Sequence, residues 1–342
     1  MTEGYQLVQL RNGTWSVRSL EAAETFHPVV GPVEEAEALY VRQLRLPERF
    51  KASTASSAGS PFVIWDVGLG AAANVLVVLR SLSGIPGTVR ILSFDHTLAP
   101  LRFAASQSER LGYFAGYGPP VDTLLETGRS EFRTGALDVV WEVFPGDFPT
   151  LVSAPGAGSW ARPNAILYDA YSPARNPAMW TLPLFTRLRQ LADPEAPCSL
   201  ATYSRATLLR VTLLNAGWFV GVGLATGEKD ETTLAANQPE LIHEPLGASW
   251  LKRAFRSTSA EPLTGPEYRQ DPLSESGRAA LSAHPQFSVA VGTPPPATAQ
   301  FQARDAISGR LGTTHSPETT TRNKTGNKTV ASSGTDMAKS TA

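Results

Sequence analysis

Residues 63–79 read Val-Ile-Trp-Asp-Val-Gly-Leu-Gly-Ala-Ala-Ala-Asn-Val-Leu-Val-Val-Leu. An apolar run meets two glycines, Gly68 and Gly70, and then continues with the apolar spacing of a helix. This order predicts a buried strand, a tight turn and a helix whose N-terminus faces the strand end. A second apolar run, 89–94, begins about 20 residues later and ends in Asp95, where an acid can accept hydrogen bonds from ribose hydroxyls. The stretch therefore predicts a nucleotide-like ligand at the switch point of an open α/β sheet.

Strand-like and helix-like patterns alternate along most of the chain. Strands are predicted at 62–67, 89–94, near 137–144, 165–168, 198–203, 218–224 and near 230–235, and helices at 71–81, 98–112, 181–192 and 205–216. Such alternation predicts a mostly parallel sheet with helices on both faces. Residues 1–50 are expected to form a β hairpin and helix packed on the core, and 51–257 the main domain. Residues 258–342, rich in Pro, Ser, Thr and Ala, are expected to be an extended, largely disordered tail.

Composition narrows the class of protein. The 342 residues are 42% hydrophobic, enough for a sizeable core, and the net charge of −1 provides no global basic field for nucleic acid. The single cysteine, Cys198, excludes an internal disulfide and a cysteine-based zinc site, and the histidines lack metal-ligand spacing, so no metal is expected. No signal peptide is visible, and no apolar run approaches the ~20 residues of a membrane span. We therefore expect a soluble, cytoplasmic protein without membrane contact.

The acid before the glycine turn bears on the choice of ligand. Ala73 occupies the third small position of a dinucleotide fingerprint, so a nicotinamide enzyme is a competing interpretation. Asp66, two residues before Gly68, would repel a pyrophosphate but would attract an ammonium group. S-adenosylmethionine carries an ammonium, a sulfonium and ribose hydroxyls, and it has no phosphate. The residues around the turn therefore favour S-adenosylmethionine as the cofactor.

Two further acids follow later strands. Asp147 comes after the strand near 137–144, where it can accept from the adenine amino group or serve as a turn residue. Asp169 ends the strand at 165–168 and precedes a loop with two prolines and an aromatic pair. Loops at the carboxyl ends of parallel strands hold the substrate in α/β enzymes, so this stiff loop is the predicted rim of the substrate site.

Three segments carry a resemblance to a known family. They are GLGAAAN at 68–74, LYDAYSPARNPAMW at 167–180 and LATYSRATLLRVTLLNAGWFV at 200–220. Each resembles a motif in the methyltransferase part of the bacterial enzyme that makes 5-methylaminomethyl-2-thiouridine at the tRNA wobble position. The likeness covers about residues 10–235, and its most specific part is Asn-Pro-x-Met-Trp at 176–180.

The resemblance implies a class-I, Rossmann-like methyltransferase fold with a seven-stranded, mainly parallel sheet and a small N-terminal β element. It also implies methyl transfer from S-adenosylmethionine to the primary amine of 5-aminomethyl-(2-thio)uridine in tRNA. The resemblance implies Gly68 and Gly70 at the methionine part of the cofactor, Asp95 at the ribose, Asp147 at the adenine and Asp169 facing the amine. Asp66 is expected beside the cofactor from its charge, and Asp169 is expected to accept the proton of the amine directly or through water. The candidate substrate contacts in the following loop are Tyr171, Arg175 and Asn176.

The chain also departs from the family pattern. Ala72 stands at the third family glycine, and Asp169-Ala170-Tyr171 replaces Asp-Gly-Phe, which puts substrate identity in doubt. No second glycine fingerprint follows, so we expect the methyltransferase alone, which leaves room for a separate flavin oxidase partner. Arg162, Arg175 and the 252–256 cluster are the candidates for phosphate contact with tRNA. The alternatives are a methyltransferase of this fold acting on a small-molecule or protein amine, and a catalytically silent cofactor-binding module. No feature predicts an oligomeric state.

Overall fold

The computed structural model describes residues 4–56, 59–227 and 230–288. All described residues belong to one compact unit. The strands are β1 Tyr5–Gln9, β2 Trp15–Ser19, β3 Phe62–Val67, β4 Gly87–Asp95, β5 Arg129–Thr134, β6 Leu137–Pro145, β7 Ala165–Tyr168, β8 Ser199–Thr202, β9 Phe219–Gly223 and β10 Thr232–Ala236.

Helices cover the strands and connect them. They are α1 Pro32–Ala36, α2 Leu46–Ser56, α3 Ala73–Leu82, α4 Ala99–Ser106, α5 Ser108–Leu111, α6 Gly118–Thr127, α7 Phe148–Ser153, α8 Leu182–Leu191, α9 Thr207–Asn215, α10 Ala248–Ala254, α11 Glu275–Ser282 and α12 Pro285–Ser288. A π-helical segment, Glu37–Arg42, continues α1, and a 3-10 turn at Pro177–Trp180 precedes α8. Among the described residues, no helix is both long and apolar enough to pass through a bilayer.

The sheet is built around β3. All six of its residues are buried, and they pair in parallel with β4 on one side and β7 on the other. Ile64 points into the core cluster that holds α3, whereas Val63, Trp65 and Val67 point into the cluster that holds α8 and α9. Burying each such side chain stabilises the fold by about 1.5–3 kcal/mol, which explains why a continuous apolar run forms a central strand.

The main sheet has eight strands in the order β5-β6-β4-β3-β7-β8-β10-β9. Strands β6, β4, β3, β7 and β8 are parallel, and β5, β10 and β9 are antiparallel to their neighbours. The predicted class-I α/β fold with its N-terminal β1–β2 hairpin is confirmed, but the expected count of seven strands is wrong. The additional strand is β5, a half-exposed edge strand whose polar sequence, Arg-Ser-Glu-Phe-Arg-Thr, contains no apolar run.

The order in which strands are added to the sheet changes side at β3. After β3 the chain continues to β4 and β6 on one side, and then returns to β7 on the other side. Helices α3 and α8 pack on opposite faces of the sheet. Such a switch point opens a crevice at the carboxyl ends of the strands, and it positions the candidate site.

The described chain stays packed beyond the predicted boundary at residue 257. Ala260, Leu263, Leu273 and Leu281 are buried in the same cluster as α8 and α9. The Leu263 carbonyl accepts the backbone N–H of Leu182 at 2.7 Å. Residues 258–288 are therefore not an extended tail, because Ala260, Leu263, Leu273 and Leu281 are buried in the core. The rest of that predicted tail lies outside the described residues.

Candidate functional site

The turn after β3 requires glycine at Gly68. Its φ is +92°, a region that residues with a side chain rarely adopt, and a Cβ there would lie 2.5 Å from the backbone oxygen of Asp169. Gly70, with φ +50°, donates its N–H to Asp95 Oδ2 at 2.8 Å. Ala72 is also left-handed, with φ 59°, so the position of the third family glycine keeps a glycine-like backbone. The turn thus packs directly against the loop that follows β7.

Asp66 is a completely buried carboxyl beneath this turn. Its Oδ2 accepts the Ser93 hydroxyl at 2.8 Å, and the Ser93 oxygen accepts the indole N–H of Trp141 at 2.9 Å. Its Oδ1 has no hydrogen-bond partner among the described residues. Burial raises the pKa of Asp66 to about 8, the Ser93 hydrogen bond opposes this effect, and the nearby charges of Asp169 and Asp95 add to it. An uncompensated buried acceptor of this kind can receive a hydrogen bond from a cationic donor.

We expect Asp66→Asn to stabilise the protein above neutral pH. Because the folded-state pKa lies above the unfolded value, wild-type stability falls as pH rises from about 4 to about 8, and the amide removes that loss. Urea unfolding should show nearly equal stability at pH 4 and a variant more stable by a few kcal/mol at pH 8. Asp122→Asn, at an exposed helix position, is the control and should show no such difference. Parallel curves for wild type and Asp66→Asn would contradict the assignment.

Asp95 and Asp147 lie at the ends of β4 and β6. Burial raises the pKa of Asp95, while the backbone N–H groups of Gly70 and Thr97 lower it. Asp147 is exposed and caps α7, where its Oδ2 accepts the backbone N–H of Thr150 at 3.1 Å. A capping role is the turn-residue alternative that the sequence left open for Asp147. The contacts of both acids with ribose and adenine stay predictions.

Asp169 follows β7 directly and is held by groups from three other segments. Its backbone N–H donates to the Val67 carbonyl at 2.8 Å, and its Oδ2 accepts the Asn74 side-chain amide at 2.7 Å. His27 Nε2 lies 3.7 Å from the same oxygen, and His27 Nδ1 lies 3.8 Å from Glu35 Oε1. None of Asn74, His27 and Glu35 was among the site residues predicted from the sequence. The match of Asn74 to the family motif was the only signal for this cluster.

The proline loop after Asp169 forms a rigid wall. Tyr168 and Trp180 are fully buried, and the Tyr168 hydroxyl donates to the Met179 carbonyl. The Tyr168 ring is therefore not accessible for stacking on a nucleotide base of a substrate. Trp180 Nε1 donates to the Tyr171 carbonyl at 2.8 Å and thereby ties the two ends of the loop together. Burial raises the pKa of Tyr171 to about 12, so its hydroxyl is neutral at physiological pH. Tyr171 is the aromatic side chain that this loop leaves half-buried.

The polar residues of the loop are more exposed. Arg175 Nε lies 3.9 Å from Glu24 Oε1, and its side chain is 59% exposed. Asn176 precedes the 3-10 turn, and its backbone N–H donates to the Ser172 carbonyl at 2.9 Å. Arg162 and the basic residues of 252–256 are exposed as well. Their roles toward substrate therefore stay predictions.

The acids gather at one edge of the sheet. Asp66, Asp95, Asp147 and Asp169 lie at or next to the carboxyl ends of β3, β4, β6 and β7. The Oδ1 of Asp66, which has no hydrogen-bond partner among the described residues, can accept a hydrogen bond from an ammonium group. These acceptors fit S-adenosylmethionine better than a pyrophosphate, which the carboxylates of Asp95, Asp147 and Asp169 would repel.

Comparison with known proteins agrees with this chemistry. Residues 126–238 match the model of a family described as S-adenosyl-L-methionine-dependent methyltransferase. The tRNA 5-methylaminomethyl-2-thiouridine biosynthesis bifunctional protein MnmC of Methylibium petroleiphilum is 28% identical over 71% of this chain and 36% of its own length. The protein of the same name from Ectopseudomonas mendocina is 29% identical over 67% of this chain and 34% of its own. The chain thus spans about a third of the length of these curated relatives.

A solved structure supports the fold. MNMC2 from Aquifex aeolicus superposes with a TM-score of 0.58 at 23% identity, covering 82% of this chain and 84% of that one. The family expected from the three motifs is confirmed, and so is the cofactor of that family. Over residues 126–238 the chain is similar to S-adenosyl-L-methionine-dependent methyltransferases, and most of the described chain is similar to part of the bifunctional MnmC proteins.

Proposed function

We propose that this protein methylates the primary amine of 5-aminomethyl-2-thiouridine at the wobble position of tRNA. The observation that carries the proposal is the placement of Asp169, which lies at the switch point between the glycine turn and the proline loop. The curated relatives bear a name that states this biosynthesis, and their likeness extends through the Asn-Pro-x-Met-Trp loop.

The residues of the chain divide into two roles. Asp66, Asp95 and Asp147 would hold S-adenosylmethionine through its ammonium, ribose and adenine, with Gly68 and Gly70 at its methionine part. When bound, this cofactor would supply an electrophilic methyl group on a sulfonium. The amine nitrogen would take the methyl group in line, and the sulfur would leave as a neutral thioether. The positive charge thereby passes from sulfur to nitrogen, and the nitrogen must lose one proton to end as a neutral secondary amine.

Asp169 is the group proposed to take that proton. Its carboxylate is oriented by the Asn74 amide, and its side chain is 17% exposed, so an amine can reach it from the crevice. A carboxylate here aligns the amine and accepts its proton directly or through water. Tyr171, Arg175 and Asn176 would contact the nucleotide that carries the amine.

The proposal has consequences for partners. tRNA is the substrate, which places the protein in the cytoplasm. Arg162, Arg175 and the basic residues of 252–256 are the proposed phosphate contacts, and their contribution should weaken with salt. A flavin-dependent oxidase on a separate chain is the proposed source of the free amine.

Methyl transfer to tRNA that carries the free amine tests the function. The full chain, S-adenosylmethionine with a labelled methyl group and tRNA bearing 5-aminomethyl-2-thiouridine should give one methyl group per wobble nucleoside, identified by mass spectrometry after digestion. tRNA that already carries the methylated amine is the control and should remain unlabelled. Labelling of a small-molecule or protein amine with none on tRNA would support the first alternative. Cofactor binding without transfer to any of these would support the silent module.

A further inference from the structure

The segment 24–35 before and within α1 contacts the loop after β7 at three points. Glu24 Oε1 accepts the Ser172 hydroxyl at 3.0 Å, and the ring of Phe26 lies 6.1 Å from that of Tyr171. His27 Nε2 lies 3.7 Å from Asp169 Oδ2. The N-terminal element therefore forms one wall of the candidate site.

His27 occupies a constrained place in this wall. Its φ of +48° lies in the left-handed region, which is unfavourable for a residue with a side chain. Its side chain is only 9% exposed, and its two ring nitrogens face two different carboxylates, Glu35 at 3.8 Å and Asp169 at 3.7 Å. Backbone strain at a buried side chain of this kind is found where the surrounding structure enforces a functional geometry.

We propose that the His27 imidazolium is a positioning residue for the proposed methyl transfer, which bridges Glu35 and Asp169 and holds the Asp169 carboxylate toward the crevice. The inference rests on the proposed function of Asp169. At 3.7 and 3.8 Å the two contacts are ion pairs rather than hydrogen bonds, so the bridge requires the positively charged ring. Asn74 holds the same Asp169 oxygen from α3, so the carboxylate is fixed from two directions.

The groups that face His27 favour its charged form. Burial alone would lower the pKa of His27, but Glu35 and Asp169 outweigh burial and raise it to about 8. The same two carboxylates also face Tyr40 of the π-helical segment and Tyr203 after β8. Burial raises the pKa of both hydroxyls, so neither tyrosine adds charge at neutral pH.

Asp66 of β3 also interacts electrostatically with Asp169 and with Tyr40. Its own raised pKa keeps it neutral over most of the range in which His27 holds its proton. The bridge should therefore be intact below about pH 8 and should be lost as pH rises through that value.

Histidine titration by NMR tests the bridge without any substrate. In the full chain with labelled histidine, one of the five His resonances should titrate near pH 8 and disappear in His27→Gln. Asp169→Asn and Glu35→Gln should each lower that midpoint by about one unit or more, because each removes an opposite charge. Asp138→Asn, at an exposed acid of β6, should leave it unchanged. A His27 midpoint near 6.5, or one unmoved by Asp169→Asn, would overturn the proposal.

Kinetics test the consequence for the reaction. At pH 7, His27→Gln should lower kcat by about tenfold to a hundredfold, with the KM for S-adenosylmethionine unchanged, since a displaced catalytic group loses rate rather than cofactor affinity. Loss of the cation favours the neutral form of its carboxylate partners, so the acid limb of the kcat profile should move to higher pH. Above about pH 8 the wild-type and variant rates should converge. His243→Gln, at an exposed histidine, should match wild type throughout.

The two tests separate this inference from the proposed function. If His27→Gln keeps the wild-type kcat and acid limb, the positioning role is wrong even when tRNA is methylated. If the NMR shifts appear but no tRNA is labelled, the bridge stands and the substrate assignment fails.

Discussion

Asp169→Asn is expected to lower kcat for methyl transfer by about 10²- to 10⁴-fold, the range that a positioned general base contributes. The amide keeps the size of the side chain and its contact with Asn74, but it cannot take a proton from the amine. Cofactor affinity, measured by calorimetry, should change by only a few-fold, because Asp66, Asp95 and Asp147 are intact.

Asp138→Asn is the matched control for this experiment. Its carboxylate is 55% exposed on β6 and pairs with Arg133 at 3.4 Å. The control should retain wild-type kcat, whereas turnover of Asp169→Asn at the wild-type rate would remove Asp169 from the mechanism. A loss of cofactor binding in Asp169→Asn would indicate instead that the acid holds the cofactor.

Gly68→Ala is expected to destabilise the protein and to abolish most activity. A methyl group there would lie 2.5 Å from the Asp169 backbone oxygen and 2.9 Å from its carbonyl carbon, so the loop after β7 must move. Overpacking of this kind costs about 1–3 kcal/mol in addition to the cost of a positive φ. Because the loop that moves carries Asp169, kcat should fall even when the variant is fully folded.

Gly116→Ala separates the two costs. Gly116 has a similar φ of +86°, but nothing lies within 4 Å of the position its Cβ would take. The control should lose only the ~1–2 kcal/mol of the left-handed backbone and should keep its activity. Equal unfolding midpoints for the two variants in urea would show that Gly68 is required for its φ alone.

The strand, turn and helix over 62–82 were predictable because their signals are local. An apolar run, two glycines and a renewed apolar spacing are properties of neighbouring residues, and the structure places β3 and α3 within two residues of the predicted bounds. Strand β5 was not predictable in this way. It is an edge strand with a polar sequence, and its pairing with β6 alone defines it.

The partners of Asp169 also could not be predicted from local sequence patterns. An acid after a strand is visible in the sequence, and so the position of Asp169 was predicted from local pattern. His27, Glu35 and Asn74 come from three separate segments, and no spacing relates them to Asp169. For the same reason, the sequence left Asp147 open between an adenine contact and a turn acid. Only the structure shows that Asp147 caps α7, because the Thr150 N–H points at its carboxylate.

By itself, the sequence determined the class of fold, the cofactor and the acids at the strand ends, since apolar periodicity, glycine turns and family motifs are written in consecutive residues. Only the tertiary structure decided that Gly68 packs against the Asp169 backbone, that Asp66 is sealed from water, and that His27 lies between two carboxylates. The physical reason is that burial and charge coupling depend on which distant segments meet in space, and the pattern within any one segment does not specify them.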